Sequence, residues 1–98
     1  MGKLSNTYFE KAKTLIPGGV NSPVRAFKSV GGNPVFIQSA NGAYLKDVDG
    51  NEYIDFNAAI GPISLGYAYP AVDEAIKKQL DEGITFSLMH PLEVEFSE

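Results

Sequence analysis

The chain has 98 residues, no cysteine and a net charge of −4, so it can build one modest core but neither a disulfide framework nor a thiolate metal site. Its eight basic residues are scattered, which argues against nucleic acid, because phosphate binding needs clustered lysine and arginine. No apolar run is long enough for a membrane span and no secretory signal is present. We therefore expect a cytoplasmic protein without a nucleic-acid or membrane partner.

Residues 5–16 are predicted to form an amphipathic helix. Two starts compete, Ser5 as N-cap or Thr7 with Glu10 as a capping box, and Pro17 followed by two glycines ends the helix. The apolar face repeats with the 3.6-residue helical period and consists of Tyr8, Phe9, Ala12, Leu15 and Ile16.

Residues 17–34 show no sustained period and are predicted to form a long substrate loop. Connections of more than about 12–15 residues are uncommon and often functional. Pro23 stiffens the loop between Ser22 and Arg25. Because an arginine fork suits a carboxylate and a serine adds a hydroxyl, these two could form a substrate-carboxylate clamp. The alternative, which the spacing by itself favours, is that Arg25 ties the loop to a nearby acid or to backbone carbonyls.

Residues 35–57 are predicted to form a three-stranded antiparallel sheet, with strands at 35–39, 44–48 and 52–56. Asn41-Gly42 is a strong hairpin signal. Ile54 and Phe56 share one face, which predicts a half-buried third strand. Residues 47–51, Asp-Val-Asp-Gly-Asn, resemble half of a calcium loop, but the glutamate expected near position 12 falls at Ala58. Turn chemistry is therefore the favoured interpretation.

Residues 58–69 are small, apolar and glycine-rich, so they could let backbone approach a ligand or form a buried crossing loop. A helix is predicted at 70–82, ended by Gly83, with an apolar stripe and i,i+4 pairs on its polar side. His90 is expected to cap a further helix that begins at Pro91. That helix is opened but not completed, which suggests a cut chain. The stripe is Val72, Ile76 and Leu80, and the pairs are Asp73–Lys77 and Glu74–Lys78.

Two motifs carry a family resemblance. Residues 15–27, Leu-Ile-Pro-Gly-Gly-Val-Asn-Ser-Pro-Val-Arg-Ala-Phe, resemble the N-terminal signature of the aminomutases within the class III pyridoxal-phosphate-dependent aminotransferases. Residues 49–55, Asp-Gly-Asn-Glu-Tyr-Ile-Asp, are similar to an element shared by that family generally. The resemblance covers nearly the whole chain. It implies that residues 1–98 are the N-terminal segment of such an enzyme.

The implied fold is an α+β fragment, with an N-terminal helix, an antiparallel meander and a helix, that belongs to a larger α/β transferase of fold type I. The implied cofactor is pyridoxal phosphate, alternating with pyridoxamine phosphate, and the implied assembly is a homodimer. The implied reaction converts glutamate-1-semialdehyde to 5-aminolevulinate in tetrapyrrole (porphyrin) biosynthesis. The Schiff-base lysine would lie beyond Glu98, so we expect no catalytic or cofactor-binding residue here and no activity from the 98 residues alone.

The resemblance also implies specific substrate contacts. Ser22 and Arg25 match positions that hold the substrate carboxylate, and Asn21, Ile60 and Gly61 belong to the same candidate set. Ile60 stands where the aminomutases usually have tryptophan, and Tyr67 and Tyr69 replace histidines. A related class III aminotransferase with another amino or keto acid substrate, or a non-catalytic interaction module on this scaffold, therefore stays open.

Overall fold

The computed structural model describes residues 2–98 as two compact units, one ending at Tyr67 and one beginning at Ala68. None of the helices in residues 2–98 is long and apolar enough to cross a membrane. The first unit consists of α1 (Lys3–Leu15), a sheet of β1 (Ile37–Asn41), β2 (Tyr44–Asp47) and β3 (Glu52–Ile54), and three short 3-10 turns. The second unit consists of α2 (Pro70–Glu82) and α3 (Pro91–Ser97).

The start of α1 differs from both predicted starts. The helix begins at Lys3, and its first turn is capped from a distance: the Asp49 carboxylate accepts hydrogen bonds from the backbone N–H of Leu4 at 2.7 Å and of Ser5 at 3.0 Å. Ser5 is therefore inside the helix, where its buried hydroxyl accepts a hydrogen bond from the backbone N–H of Phe36 at 3.3 Å. A carboxylate 45 residues away supplies the acceptors that local capping residues would otherwise provide.

The predicted loop at 17–34 contains two short 3-10 turns. Pro17–Gly19 and Pro23–Ala26 each begin with proline, whose fixed φ suits the first helical position. In the second turn the Arg25 N–H donates to the Ser22 carbonyl at 3.0 Å, and Ala26 is buried. The loop between α1 and β1 is thus locally ordered rather than irregular throughout.

The predicted antiparallel sheet is present, with strand order β1-β2-β3. Its third strand is shorter than predicted and the half-buried interpretation is wrong, because no described residue of the first unit covers it. Ile54 is 57% exposed, and Phe56, which lies outside the strand, is 94% exposed. A three-stranded sheet with an apolar face needs a further layer to bury it.

The turn between β2 and β3 is organised by Asp47. This residue is 1% exposed, and its carboxylate accepts four hydrogen bonds of 2.8–2.9 Å. The donors are the backbone N–H of Asp49, the backbone and side-chain amides of Asn51, and the Tyr53 hydroxyl. The turn interpretation is confirmed, since the acid closes its own loop by hydrogen bonding.

In the second unit, α2 begins at Pro70 and ends before Gly83. The predicted i,i+4 ion pairs are wrong. Lys77 instead contacts Glu74 at 2.8 Å, three residues away, and neither Asp73–Lys77 nor Glu74–Lys78 forms an ion pair within residues 2–98. His90 is the N-cap of α3, where its Nδ1 accepts a hydrogen bond from the Leu92 N–H at 3.2 Å. The apolar stripe of α2 is exposed and consists of Val72, Ile76 and Leu80.

Candidate functional site

A strained turn follows β3. Its three residues, Ala58–Ile60, all have positive φ, with values of 49°, 52° and 67°. For residues other than glycine this left-handed conformation costs roughly 1–2 kcal/mol each. Strain of this kind is retained only where the surroundings fix it, and it is concentrated at functional sites.

Hydrogen bonds fix this turn at both ends. At the start, Oδ1 of Asp55 accepts from the backbone N–H of Asn57 at 2.8 Å and of Ala58 at 3.1 Å. At the end, the Asn57 side-chain oxygen accepts from the Ile60 N–H at 3.0 Å. The Gly61 N–H also donates to the Ala58 carbonyl at 2.9 Å. The turn is therefore held by side chains as well as by its own backbone.

The second oxygen of Asp55 has a partner of its own. Oδ2 accepts a hydrogen bond of 2.6 Å from the Tyr67 hydroxyl. This bond, together with the backbone N–H groups of Asn57 and Ala58, lowers the pKa of Asp55, while the same carboxylate raises the pKa of Tyr67. The pair thus keeps Asp55 ionised and Tyr67 protonated.

Tyr67 is itself anchored to the tip of the β1–β2 hairpin. Its backbone exchanges two hydrogen bonds of 2.9 Å with Gly42. Gly66 precedes it with φ 84°, and a Cβ there would lie 3.0 Å from the Gly42 carbonyl oxygen. A glycine at 66 is required by both the positive φ and this close approach.

Asp55, Asn57, Ala59 and Tyr67 line an open hollow of about 540 Å³, which we call the sheet hollow. Arg25 lines it too, and its guanidinium makes no hydrogen bond or ion pair with any of residues 2–98. The predicted alternative, in which Arg25 ties the loop to an acid, therefore has no counterpart within these residues. The lining of the sheet hollow is Arg25, Ile37, Gln38, Ser39, Ala40, Leu45, Asp55, Asn57, Ala59 and Tyr67.

Arg25 also borders a second hollow, which it does not share with Ser22, the other residue of the predicted clamp. This helix hollow, of about 500 Å³, lies between α1, the loop and residues 34–37, and Asn21 lines it together with Arg25. Ser22 lines neither hollow. It faces a third one of about 250 Å³, the loop hollow, with Asn21 and Lys28. Ser22 and Arg25 thus share none of these three hollows.

The two predicted substrate contacts in the crossing loop, Ile60 and Gly61, do not line the sheet hollow. Ile60 is 86% exposed, Gly61 is also exposed, and neither lines the three hollows. Their neighbour Ala59 lines the sheet hollow instead. The structure therefore brings Arg25 together with the turn that carries Ile60, but not with the Ile60 side chain.

Sequence analysis missed the polar residues of the sheet hollow other than Arg25, among them Asp55, Asn57 and Tyr67. Asp55 belongs to a family motif and is followed two residues later by Asn57, a spacing at which an aspartate can bond the next backbone amides. The spacing of Asp55 and Asn57 is therefore a local signal from which this contact could be predicted. Tyr67 carries no local signal, because its partner lies 12 residues earlier.

Comparison with known proteins gives the family. The Aminotransferase class-III family model matches residues 27–96. A glutamate-1-semialdehyde 2,1-aminomutase from Heliobacterium modesticaldum is 58% identical over 91 residues, which is 93% of this chain and 20% of that protein. A solved transaminase with PLP bound has a TM-score of 0.85 and 34% identity over 98% of this chain and 22% of its own. An aminomutase structure from Pseudomonas aeruginosa PAO1 has a TM-score of 0.80 and 28% identity over 91% of this chain and 19% of its own.

The chain belongs to the class III aminotransferase family. Its fold is a fragment of the fold type I transferases that the solved relatives represent, so the predicted fold class is confirmed. Among its relatives are proteins named glutamate-1-semialdehyde 2,1-aminomutase, and the chain spans 20% of the length of the Heliobacterium protein. The match to the family model begins at Phe27 and therefore does not include Ser22 or Arg25.

Proposed function

We propose that the protein containing this chain is a pyridoxal-phosphate-dependent enzyme that converts glutamate-1-semialdehyde to 5-aminolevulinate. Residues 2–98 contribute substrate positioning to it. The name of the Heliobacterium relative, at 58% identity, supports the reaction, and the transaminase solved with PLP bound supports the cofactor. The 98 residues alone are expected to be inactive.

One observation carries the substrate-positioning role. Arg25 presents a guanidinium without a partner among residues 2–98 to an open hollow, and a guanidinium of this kind is suited to bind a carboxylate through two parallel hydrogen bonds. The acid in the same hollow, Asp55, has both oxygens engaged by Tyr67 and by backbone amides. Arg25 is therefore the group in this hollow best suited to hold the carboxylate of an amino-acid-like substrate.

The cofactor chemistry belongs to other parts of the protein. When bound, pyridoxal phosphate supplies the electron sink for the reaction. No lysine among residues 2–98 lines the sheet hollow, so these residues do not fit the cofactor's Schiff-base site. Lys77 and Lys78 lie on α2, where Lys77 pairs with Glu74. The role of this chain is to bind and orient the substrate.

Ser22 and Asn21 remain part of the proposal as flanking contacts. Both lie within four residues of Arg25, and Asn21 shares the helix hollow with it. A homodimer in the cytoplasm is the proposed state of the full-length protein. The support for both the homodimer and the location is the family resemblance.

The experiment uses the full-length protein, purified and examined for the visible absorbance of the cofactor. It is then supplied with glutamate-1-semialdehyde, and formation of 5-aminolevulinate is measured. Coloured protein that forms 5-aminolevulinate is the expected result. Colourless protein that cannot be reconstituted with pyridoxal phosphate would contradict the enzyme proposal and favour a non-catalytic interaction module.

A second candidate is an aminotransferase with a different amino or keto acid substrate. Two observations favour it: the solved transaminase with PLP bound matches this chain at a TM-score of 0.85, and Ile60 replaces the tryptophan expected of the aminomutases. Amino transfer from a panel of amino acids to a keto acid, without 5-aminolevulinate formation, would select this candidate.

A further inference from the structure

The strained turn is supported by side-chain hydrogen bonds in addition to those of its own backbone. Three successive residues, Ala58–Ile60, are left-handed, and side chains destabilise this conformation relative to its right-handed counterpart. The turn is also where the crossing loop meets the sheet hollow, through Ala59. Its conformation therefore contributes to the shape of the hollow that Arg25 also lines.

Asp55 supplies that support and is held in turn by Tyr67. The carboxylate bonds the N–H groups of Asn57 and Ala58 with one oxygen, which fixes where the left-handed segment begins. The Tyr67 hydroxyl bonds the other oxygen at 2.6 Å and so restricts rotation of the carboxylate about its terminal bond. A hydrogen bond to an ionised acceptor is short and comparatively strong.

Tyr67 can act as a support because it is fixed independently of the turn. Its backbone is paired with Gly42 through two hydrogen bonds of 2.9 Å. Gly42 lies at the tip of the β1–β2 hairpin. A continuous chain of contacts thus runs from the sheet, through Tyr67 and Asp55, to the turn.

We propose that Tyr67 is a positioning residue for the substrate site: its hydroxyl, acting through Asp55, holds the left-handed turn Ala58–Ile60 in the conformation that completes the sheet hollow, which Arg25 also lines. This inference rests on the proposed function. Tyr67 is not a catalytic residue, since it acts on the substrate only through Asp55 and the turn. It sets which substrates fit against Arg25.

The test compares Tyr67→Phe with Tyr67→His and wild type in the full-length protein. Phenylalanine keeps the ring and removes the donor, whereas histidine keeps an N–H donor on a shorter side chain. Tyr44→Phe is the matched control, because Tyr44 lies on β2, is exposed, and makes no side-chain hydrogen bond with residues 2–98. The measurements are KM, kcat, the pH profile of kcat/KM and the cofactor absorbance.

For Tyr67→Phe we expect KM for the carboxylate substrate to rise about tenfold, because small misplacements near a substrate cost up to about 100-fold. The cofactor absorbance should stay unchanged. The acidic limb of kcat/KM should move to higher pH, since Asp55 loses the hydrogen bond that contributes most to lowering its pKa. Tyr67→His should return KM part of the way toward its wild-type value.

Kinetics of Tyr67→Phe that match those of Tyr44→Phe, with an active wild type, would overturn the inference and leave the proposed function intact. A wild type that turns over no amino-acid substrate would contradict the proposed function itself. If Tyr67→Phe does not fold, Tyr67→Met, which has no donor, is compared with Tyr67→His: a KM that is higher for Tyr67→Met than for Tyr67→His supports the positioning role, and equal KM values overturn it.

Discussion

The Asp49 carboxylate caps the first turn of α1 by accepting the backbone N–H of Leu4 at 2.7 Å. A second bond from the Ser5 N–H, at 3.0 Å, completes the contact. The β2–β3 turn therefore determines where the N-terminal helix begins. It also links the two ends of the segment that carries Arg25, because α1 precedes the loop and the sheet follows it.

This cap makes the helix start sensitive to acid. The hydrogen bonds from Leu4 and Ser5 lower the pKa of Asp49 from its ordinary value of 3.8. A carboxyl with a lowered pKa stabilises the fold above that ordinary value, and the contribution is lost as pH falls through the folded-state pKa. In full-length protein, the urea midpoint of Asp49→Asn should depend less steeply on acidic pH than that of wild type. Asp81→Asn, at an exposed position of α2, is the control, and parallel curves for Asp49→Asn and wild type would contradict the cap.

Asp47, the buried acid of the same turn, should contribute more to stability at neutral pH than its hydrogen-bond partner Tyr53 does. Burial alone would raise the pKa of Asp47, but hydrogen bonds from Asn51, Tyr53 and Asp49 outweigh it and lower the pKa to about 2. Asp47→Ala leaves four donors unpaired, whereas Tyr53→Phe removes one bond only. The thermal midpoint should fall further for Asp47→Ala than for Tyr53→Phe. Equal losses would show that Asp47 does not organise the turn.

Removing the guanidinium of Arg25 should weaken substrate binding specifically. For Arg25→Ala we expect KM for a carboxylate substrate to rise about 10- to 100-fold, the range of a hydrogen bond to a charged group, with little change in cofactor absorbance. Lys28→Ala is the matched control, because Lys28 is an exposed cation in the same loop that lines the loop hollow and not the sheet hollow. Steady-state kinetics of the two variants provide the measurement, and unchanged KM for Arg25→Ala would exclude the clamp.

The side chain at position 60 is expected to influence substrate choice. Ile60 is exposed and sits in the left-handed turn, so a larger aromatic ring can be accommodated there without a core clash. Ile60→Trp should change the ratio of kcat/KM for glutamate-1-semialdehyde to that for other amino donors by about tenfold, in favour of the semialdehyde. Leu65→Trp, also exposed and in the same crossing loop, should leave the ratio unchanged. Equal effects at both positions would argue against a role for residue 60.

The close approach at Gly66 can be separated from its backbone conformation. Gly66 and Gly31 have nearly the same φ, 84° and 82°, but a Cβ on Gly31 would meet open space while one on Gly66 would meet the Gly42 carbonyl. Each alanine substitution should cost about 1–2 kcal/mol for the positive φ, and Gly66→Ala should cost more. Chemical unfolding of both variants measures the difference. Identical losses would mean that Gly42 is free to move away.

Much of the local structure follows from sequence signals. Pro70 and Gly83 bound α2, the Asn41-Gly42 pair marks the β1–β2 hairpin, and the acid-rich turn at 47–51 forms as turn chemistry predicts. In each case the determining interactions lie within a few residues of one another. Periodicity and turn propensity report interactions of that range.

Other features depend on pairs far apart in the chain, which local patterns do not report. The start of α1 was misplaced because its cap is Asp49, and the importance of Tyr67 was missed because its partner is Asp55, 12 residues earlier. For Arg25, the sequence by itself supplied a cation suited to a carboxylate and a stiff loop to hold it. Only the tertiary structure decided which residues share a hollow with it, namely β1 and the strained turn rather than Ser22, because the direction of a side chain depends on how the loop packs against the sheet.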